Sequence, residues 1–239
     1  MPTERPVIDI SDLSFGWTRQ SVILDIPAFT LQRGESLFLR GPSGSGKSTL
    51  LGLISGVLTP QAGRIDVLGH DMAELSGAGR DRLRADHLGV IFQMFNLVPY
   101  LSVVGNVTLA CRFSKRRMEV VSAAGGAQAE AVRLLSRLGL DDLDMLARKV
   151  GDLSVGQQQR VAAARALIGA PDIVIADEPT SALDADARDR FIALLGEEAS
   201  RSGAALLFVS HDRSLSHHFD RSADLAEINL ASPKSAEVA

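Results

Sequence analysis

Residues 41–49 read GPSGSGKST and follow the apolar segment SLFLR without a break. The pattern G-x-x-x-x-G-K-[ST], with an apolar strand before it and the helix-like run LLGLI after it, fixes a strand, a tight loop and a helix in one stretch. Glycines let successive backbone N–H groups curl around an anion with no Cβ in the way. The helix that begins near Lys47 aims its positive end at the same point. Lys47 adds a mobile charge suited to terminal phosphates, and Ser48 a hydroxyl suited to Mg²⁺. Gly41, Pro42, Ser43, Gly44, Ser45, Gly46, Lys47, Ser48 and Thr49 are therefore candidate nucleotide-binding residues. The competing reading is a Gly/Ser-rich turn without a ligand.

The rest of the chain supplies a sheet to carry that loop. Compact apolar runs at 36–40, 89–92, 172–176 and 204–209 suit strands buried on both faces. Helical stretches separate them, which predicts a mostly parallel α/β core. Alternation at Val7, Ile8, Ile10, Leu13, Phe15 and 22–26, together with 64–68, predicts short strands of a half-buried antiparallel sheet. Between about 93 and 167 the period changes: Ala131, Leu134, Leu135 and Leu138 recur at helical spacing, and 157–168 is Ala-rich without Gly or Pro. A helical lobe inserted into the core is expected there, with 122–127 (SAAGGA) as a flexible loop. The last nine residues, ASPKSAEVA, read as a frayed tail.

Composition narrows the function classes. The 239 residues are 46% hydrophobic and 23% charged, which excludes wholesale disorder. Twenty-five Lys and Arg against 29 Asp and Glu leave a net charge of -4, so a nucleic-acid partner is not expected. A single cysteine, Cys111, excludes an internal disulfide, fits a reducing compartment and reads as a small buried hydrophobe. MPTERPVIDI shows no signal-peptide pattern, and no apolar run reaches the length of a membrane span. Any membrane role would then run through a partner.

A second site signal is 172–178, DIVIADE. Asp177 ends an apolar strand where an α/β sheet holds Mg²⁺ beside a phosphate loop. Glu178 points the other way and can accept a proton from an attacking water. A strand ending in solvated acids is the alternative. Three weaker features have plainer readings available. Lys115, Arg116 and Arg117 form either a solvated loop or a lipid-facing patch. His217 and His218 beside Asp220 suggest a solvated helix face more than a metal site. Phe95, Leu97, Val98, Pro99, Tyr100 and Leu101 form either lobe core or the edge of a groove for a partner's helix.

Residues 153–160, LSVGQQQR, lie just before DIVIADE. They resemble the signature of the ATP-binding cassette (ABC) ATPases, and further family elements occur in the family's order over about residues 7–230. Trp17 matches the aromatic that stacks on adenine, and Gln93 the glutamine that senses Mg²⁺ and the transporter interface. Ser181 to Asp184 (SALD) resembles the loop coupling two monomers, and His211 the switch histidine. Within the family, IFQMFNLVPYLSV and LSVGQQQRVAAARAL look most like the lipoprotein-release, macrolide-efflux and cell-division group. Two departures stand out: Val155 where the family has Gly, and Trp17 for the commoner tyrosine.

The resemblance implies a P-loop NTPase (RecA-like) core with an antiparallel β subdomain and an inserted α-helical subdomain. One domain would span 1–230, with core and β parts at about 1–92 and 168–230, the helical part at about 93–167 and a tail at 231–239. It implies a homodimer or pseudo-symmetric dimer sandwiching two ATP molecules, in which Ser154, Gly156 and Gln157 meet the other copy's nucleotide. Mg²⁺ would lie among Ser48, Gln93 and Asp177, with Lys47, Gln93, Glu178 and His211 as the catalytic set. An integral membrane permease would be the partner, and the chain would be cytoplasmic, peripheral on the inner face of the membrane. The expected function is to energise that transporter. The alternative is force transmission to a membrane protein without cargo, as in the cell-division type.

Overall fold

The computed structural model describes residues 5–18, 21–181 and 183–231. From the N-terminus run β1 (Ile8–Thr18), β2 (Ser21–Leu31), β3 (Ser36–Arg40), α1 (Lys47–Ile54), β4 (Ala62–Val67), β5 (His70–Asp71), α2 (Gly77–His87) and β6 (Leu88–Ile91). Five helices follow: α3 (Val103–Arg112), α4 (Lys115–Ala123), α5 (Ala127–Arg137), α6 (Leu143–Leu146) and α7 (Val155–Leu167). The chain then makes β7 (Ile173–Asp177), α8 (Ala185–Ser202), β8 (Ala205–Ser210), β9 (Arg221–Asp224) and α9 (Leu225–Ile228).

Two sheets result. One is antiparallel in the order β2-β1-β4-β5, and the other has the order β6-β7-β8-β3-β9 with every pair parallel. The antiparallel strands are longer than their alternation suggested: β1 and β2 each run 11 residues, with a register shift near Gly16 that breaks the visible period.

The parallel sheet separates two cores, and its pleat decides which side chain joins which. Leu37, Leu39, Ile173, Ile175, Leu207 and Val209 pack with α1 and the antiparallel sheet. Their alternates Phe38, Val174, Ala176, Leu206 and Phe208 pack with the helices between β6 and β7 and with α8. Fully buried Phe38 and Phe208 stack at 6.4 Å, and each also contacts Phe219.

The inserted segment corrects three expectations. Residues 115–117 are no solvated loop; they open α4, whose cap is Ser114. Arg117 is 2% exposed, and its guanidinium donates to the carbonyls of Ala85, Leu88 and Ile168 at 2.6–2.7 Å. Burial pulls its pKa down to about 10, so it stays charged at neutral pH while solvated by backbone oxygens alone. Arg116 turns to the carbonyls of Asp86 and Ala170 and to Asp172. The 122–127 stretch is not a loop throughout: Ser122 and Ala123 finish α4, Ala127 begins α5, and only 124–126 turn. Phe95 belongs to the core at 9% exposure, while Tyr100 stays 74% exposed, so the apolar cluster is split between the two readings. Cys111 is buried, which pushes its thiol pKa up. Residues 232–239 of the expected tail lie outside the described residues.

Candidate active site

Three adjacent parallel strands end at one edge of the sheet, and the site stands on those ends. β7, β8 and β3 are consecutive neighbours, with Asp177 opposite Val209 and Arg40 opposite Ser210. That register lifts Asp177 and Glu178, Ser210 and His211, and the loop after Arg40 to the same level. A cleft of about 800 Å³ opens there, lined by Trp17, Gln93, Asp177, Glu178, Ser181 and His211 together with Pro42, Ser43, Gly44, Gly46, Lys47, Ser48 and Thr49.

The loop has the backbone its glycines allow. Gly44 and Gly46 lie at φ 78° and 99°, and a Cβ on Gly46 would fall 2.8 Å from Leu24. No side chain caps α1, so its first N–H groups face the cleft without a protein partner from a capping residue. Lys47 Nζ donates to the carbonyls of Gly41 and Pro42 at 2.8 and 2.9 Å and lies 3.9 Å from Glu178 Oε1. Gly41 and Ser45 sit beside the cleft and do not line it; Ser45 borders a neighbouring cavity shared with α9.

Ser48 Oγ donates to Asp177 Oδ2 at 3.4 Å. One hydroxyl and one carboxylate are too few for an all-protein metal cage. Among the described residues there is no group of three His, Cys, Asp or Glu that could form one. The pair does suit Mg²⁺, which dehydrates reluctantly and takes one or two protein oxygens alongside phosphate oxygens. Burial, then the charge of Glu178, pushes the Asp177 carboxyl above the ordinary aspartate range, and Ser48 and Lys47 offset part of that. A cation there would favour the ionised form and oppose that shift.

Glu178 is held from three sides. Its backbone N–H extends the β7–β8 ladder to Val209 O, and Ser210 Oγ donates to Oε2 at 3.4 Å. His211 Nδ1 lies 3.0 and 2.9 Å from its two carboxylate oxygens, which requires the proton on Nδ1 and leaves Nε2 as the other ring position. Glu178 has φ 47°, a left-handed conformation costing about 1–3 kcal/mol for a residue of this kind. Trp17 is 62% exposed and stands edge-on to Phe15 at 5.4 Å, so one ring face is open at the cleft mouth.

The signature residues are elsewhere. Ser154 caps α7, and Gln157 returns the bond: Ser154 Oγ accepts from Gln157 N at 3.3 Å while Gln157 Oε1 accepts from Ser154 N at 2.9 Å. The S-x-x-Q spacing carried that signal in the sequence. Val155 is in helical conformation and 49% exposed, so nothing within this chain demands glycine there. Neither Ser154, Gly156 nor Gln157 lines the cleft. In the SALD segment Ser181 borders the cleft, Asp184 caps α8 by accepting from Ala187 N, and Ala182 lies outside the described residues.

Two arginines that the sequence reading passed over act next to the site. Arg165, in the last turn of α7, donates to Phe95 O and Asn96 O just past Gln93. Arg188 of α8 donates to Asp212, the neighbour of His211. The histidine pair also differs from a solvated helix face: it lies on a short 3₁₀ turn, where His217 meets Ser214 O and His218 is partly buried.

A family model described as ABC transporter matches residues 24–181. The lipoprotein-releasing system ATP-binding protein LolD of Anaeromyxobacter dehalogenans is 38% identical over 95% of this chain and 93% of its own length. The macrolide export ATP-binding/permease protein MacB of a Shewanella species is 36% identical over 91% of this chain, which spans 32% of that larger protein. A dimeric ATP-binding cassette solved in a post-hydrolysis state with ADP and Pi superposes with a TM-score of 0.79. It is 30% identical over 91% of this chain and 93% of that one.

Proposed function

This chain belongs to the ABC transporter ATPases, and from that premise we propose that two copies close head to tail around two ATP molecules to drive a membrane permease. It is an ATPase subunit of a transporter. One observation carries the dimeric reading: phosphate loop, acids and histidine share one cleft, while Ser154, Gly156 and Gln157 of the same chain line no part of it. A helix start at Ser154 offers backbone N–H groups and a positive end, the chemistry that stabilises γ-phosphate charge. Supplied by the second copy, it would complete the site.

In this reading Lys47 leaves the Gly41 and Pro42 carbonyls for the β- and γ-phosphates, and the α1 N–H groups hold the phosphate chain. Trp17 stacks on the base. Ser48, Asp177 and Gln93 would hold Mg²⁺, which when bound would neutralise phosphate charge. Glu178 orients the attacking water and takes its proton, kept in place by His211 and Ser210. His211 turns its free ring edge to the γ-phosphate.

The permease reading is supported by a second cavity of about 600 Å³ next to Gln93, where Phe92 and Phe113 are 43% and 74% exposed. A short amphipathic helix from a membrane subunit fits such an apolar groove. No helix among the described residues is long and apolar enough to cross a membrane. The chain would thus sit on the inner face of the membrane through that subunit, with 93–167 as the helical subdomain of one domain spanning 1–230. The names of the LolD and MacB relatives favour release or export of cargo over import.

The test is Glu178→Gln. ATP binding should persist, turnover should fall about 10²–10⁴-fold, and an ATP-dependent dimer should accumulate in sedimentation experiments. Wild-type turnover by that variant would refute the role of Glu178. Full-rate hydrolysis by a strict monomer would refute the dimer.

A further inference from the structure

Arg165 and Ser154 stand at opposite ends of one helix. α7 is 13 residues long, about 20 Å, with no proline and with most of its length buried. A helix packed this way moves as a rod. At its last turn Arg165 Nη1 donates to Asn96 O at 2.7 Å and Nη2 to Phe95 O at 2.6 Å. Each bond uses a different nitrogen of one planar guanidinium, a fixed spacing that the single ammonium nitrogen of lysine does not provide. Burial pulls the Arg165 pKa down, and no carboxylate partners it among the described residues; the cation is spent on two carbonyls.

Those carbonyls belong to an unusual turn. Phe95 and Asn96 lie at φ 58° and 50°, consecutive residues in left-handed conformation. Phe95 N donates to Phe92 O and Asn96 N to Met94 O, so the turn closes around Gln93. The Phe95 ring anchors it in the core, and Arg165 grips its outer backbone. Gln93 itself is exposed in the nucleotide cleft.

We propose that Arg165 is a positioning residue that couples the two nucleotide sites of the dimer, by tying the Gln93 turn of one site to the helix whose start serves the other. The inference rests on the dimeric reading above. A displacement of α7 when Ser154 meets the partner's nucleotide is carried to the Phe95 and Asn96 carbonyls, and so to Gln93. Neither Arg165 guanidinium bond touches nucleotide, so its loss should leave ATP binding alone.

The experiment uses the full chain and its single tryptophan, Trp17, which lines the cleft and whose fluorescence should be quenched when ATP binds without Mg²⁺. Arg165→Lys should quench as wild type does and melt as a folded protein. Its turnover number should drop about tenfold to a hundredfold, and the sigmoidal dependence on ATP concentration should become hyperbolic. Asn96→Gly in that background should recover part of the turnover, since glycine takes the left-handed turn without help, but not the sigmoidal dependence, because the tie to α7 stays broken. Arg165→Lys that matches a cooperative wild type overturns the proposal. So does a variant whose quench, melting and turnover fall together, with no recovery from Asn96→Gly. A wild type that is hyperbolic and monomeric throughout instead overturns the dimeric reading on which it rests.

Discussion

Glu178 holds a conformation that its side chain does not favour, and the strain can be measured apart from the chemistry. Glycine at this position should relieve it; alanine removes the same carboxylate and relieves nothing. We expect Glu178→Gly to be more stable than Glu178→Ala by about 1 kcal/mol in denaturant unfolding. Equal stabilities would show that the backbone there is unstrained. Such strain left no trace in the sequence, because DIVIADEP reads only as a strand that ends in acids. Lys47, Ser48 and Asp177 were readable for the opposite reason: their chemistry depends on neighbours within a few positions. Arg117 was misplaced, and Phe95 stayed open between core and groove, because burial of one guanidinium or one aromatic depends on helices far along the chain.

Ser154 caps its helix and, in the dimeric reading, also meets the partner's nucleotide, and the two roles can be separated. Ser154→Ala removes the cap and should cost about 1 kcal/mol, or about 2–4 °C in melting temperature for a chain of this size. Gln157→Ala breaks only the reciprocal bond and should cost less. If Ser154 also meets the partner's nucleotide, Ser154→Ala should lower turnover more than Gln157→Ala does at matched temperature below melting. Turnover that merely follows stability in both variants would confine Ser154 to capping. Helix α5 was visible within a residue or two from its apolar spacing, and α7 from its Ala-rich run without Gly or Pro. The lengths of β1 and β2 were not, since the shift at Gly16 interrupts the alternation that defines a strand.

Asp172 sits at the far end of β7, away from the cleft, and gathers Arg33 at 3.2 Å, His87 at 2.7 Å and Arg116 at 3.0 Å. It thereby joins the loop after β2, the end of α2 and the start of α4 to the parallel sheet. The His87 bond first, then Arg116 and Arg33, hold its carboxyl down at about 2 against the burial that would raise it. A carboxyl depressed in the folded state stabilises above its ordinary pKa and loses that contribution as pH falls toward the folded value. The contribution is at most about 2 kcal/mol. Asp172→Asn should therefore unfold more easily at pH 7 and show a flatter loss of stability between about pH 4 and 2. An unchanged acid profile would mean that the cluster is not linked to folding. Fold class could be read from the succession of strands and helices, but strand order could not, because no local signal says that β3 lies between β8 and β9. That order has a consequence for synthesis. The strand carrying the phosphate loop ends at Arg40, and its first sheet neighbour begins at Ala205. At about 5–20 residues per second, roughly 8–30 s pass before the ribosome has made that neighbour. Until then the nascent chain exposes an apolar ribbon with nothing to pair it, and a message that stalls midway leaves a fragment fit for chaperones or proteases, with no grip on ATP.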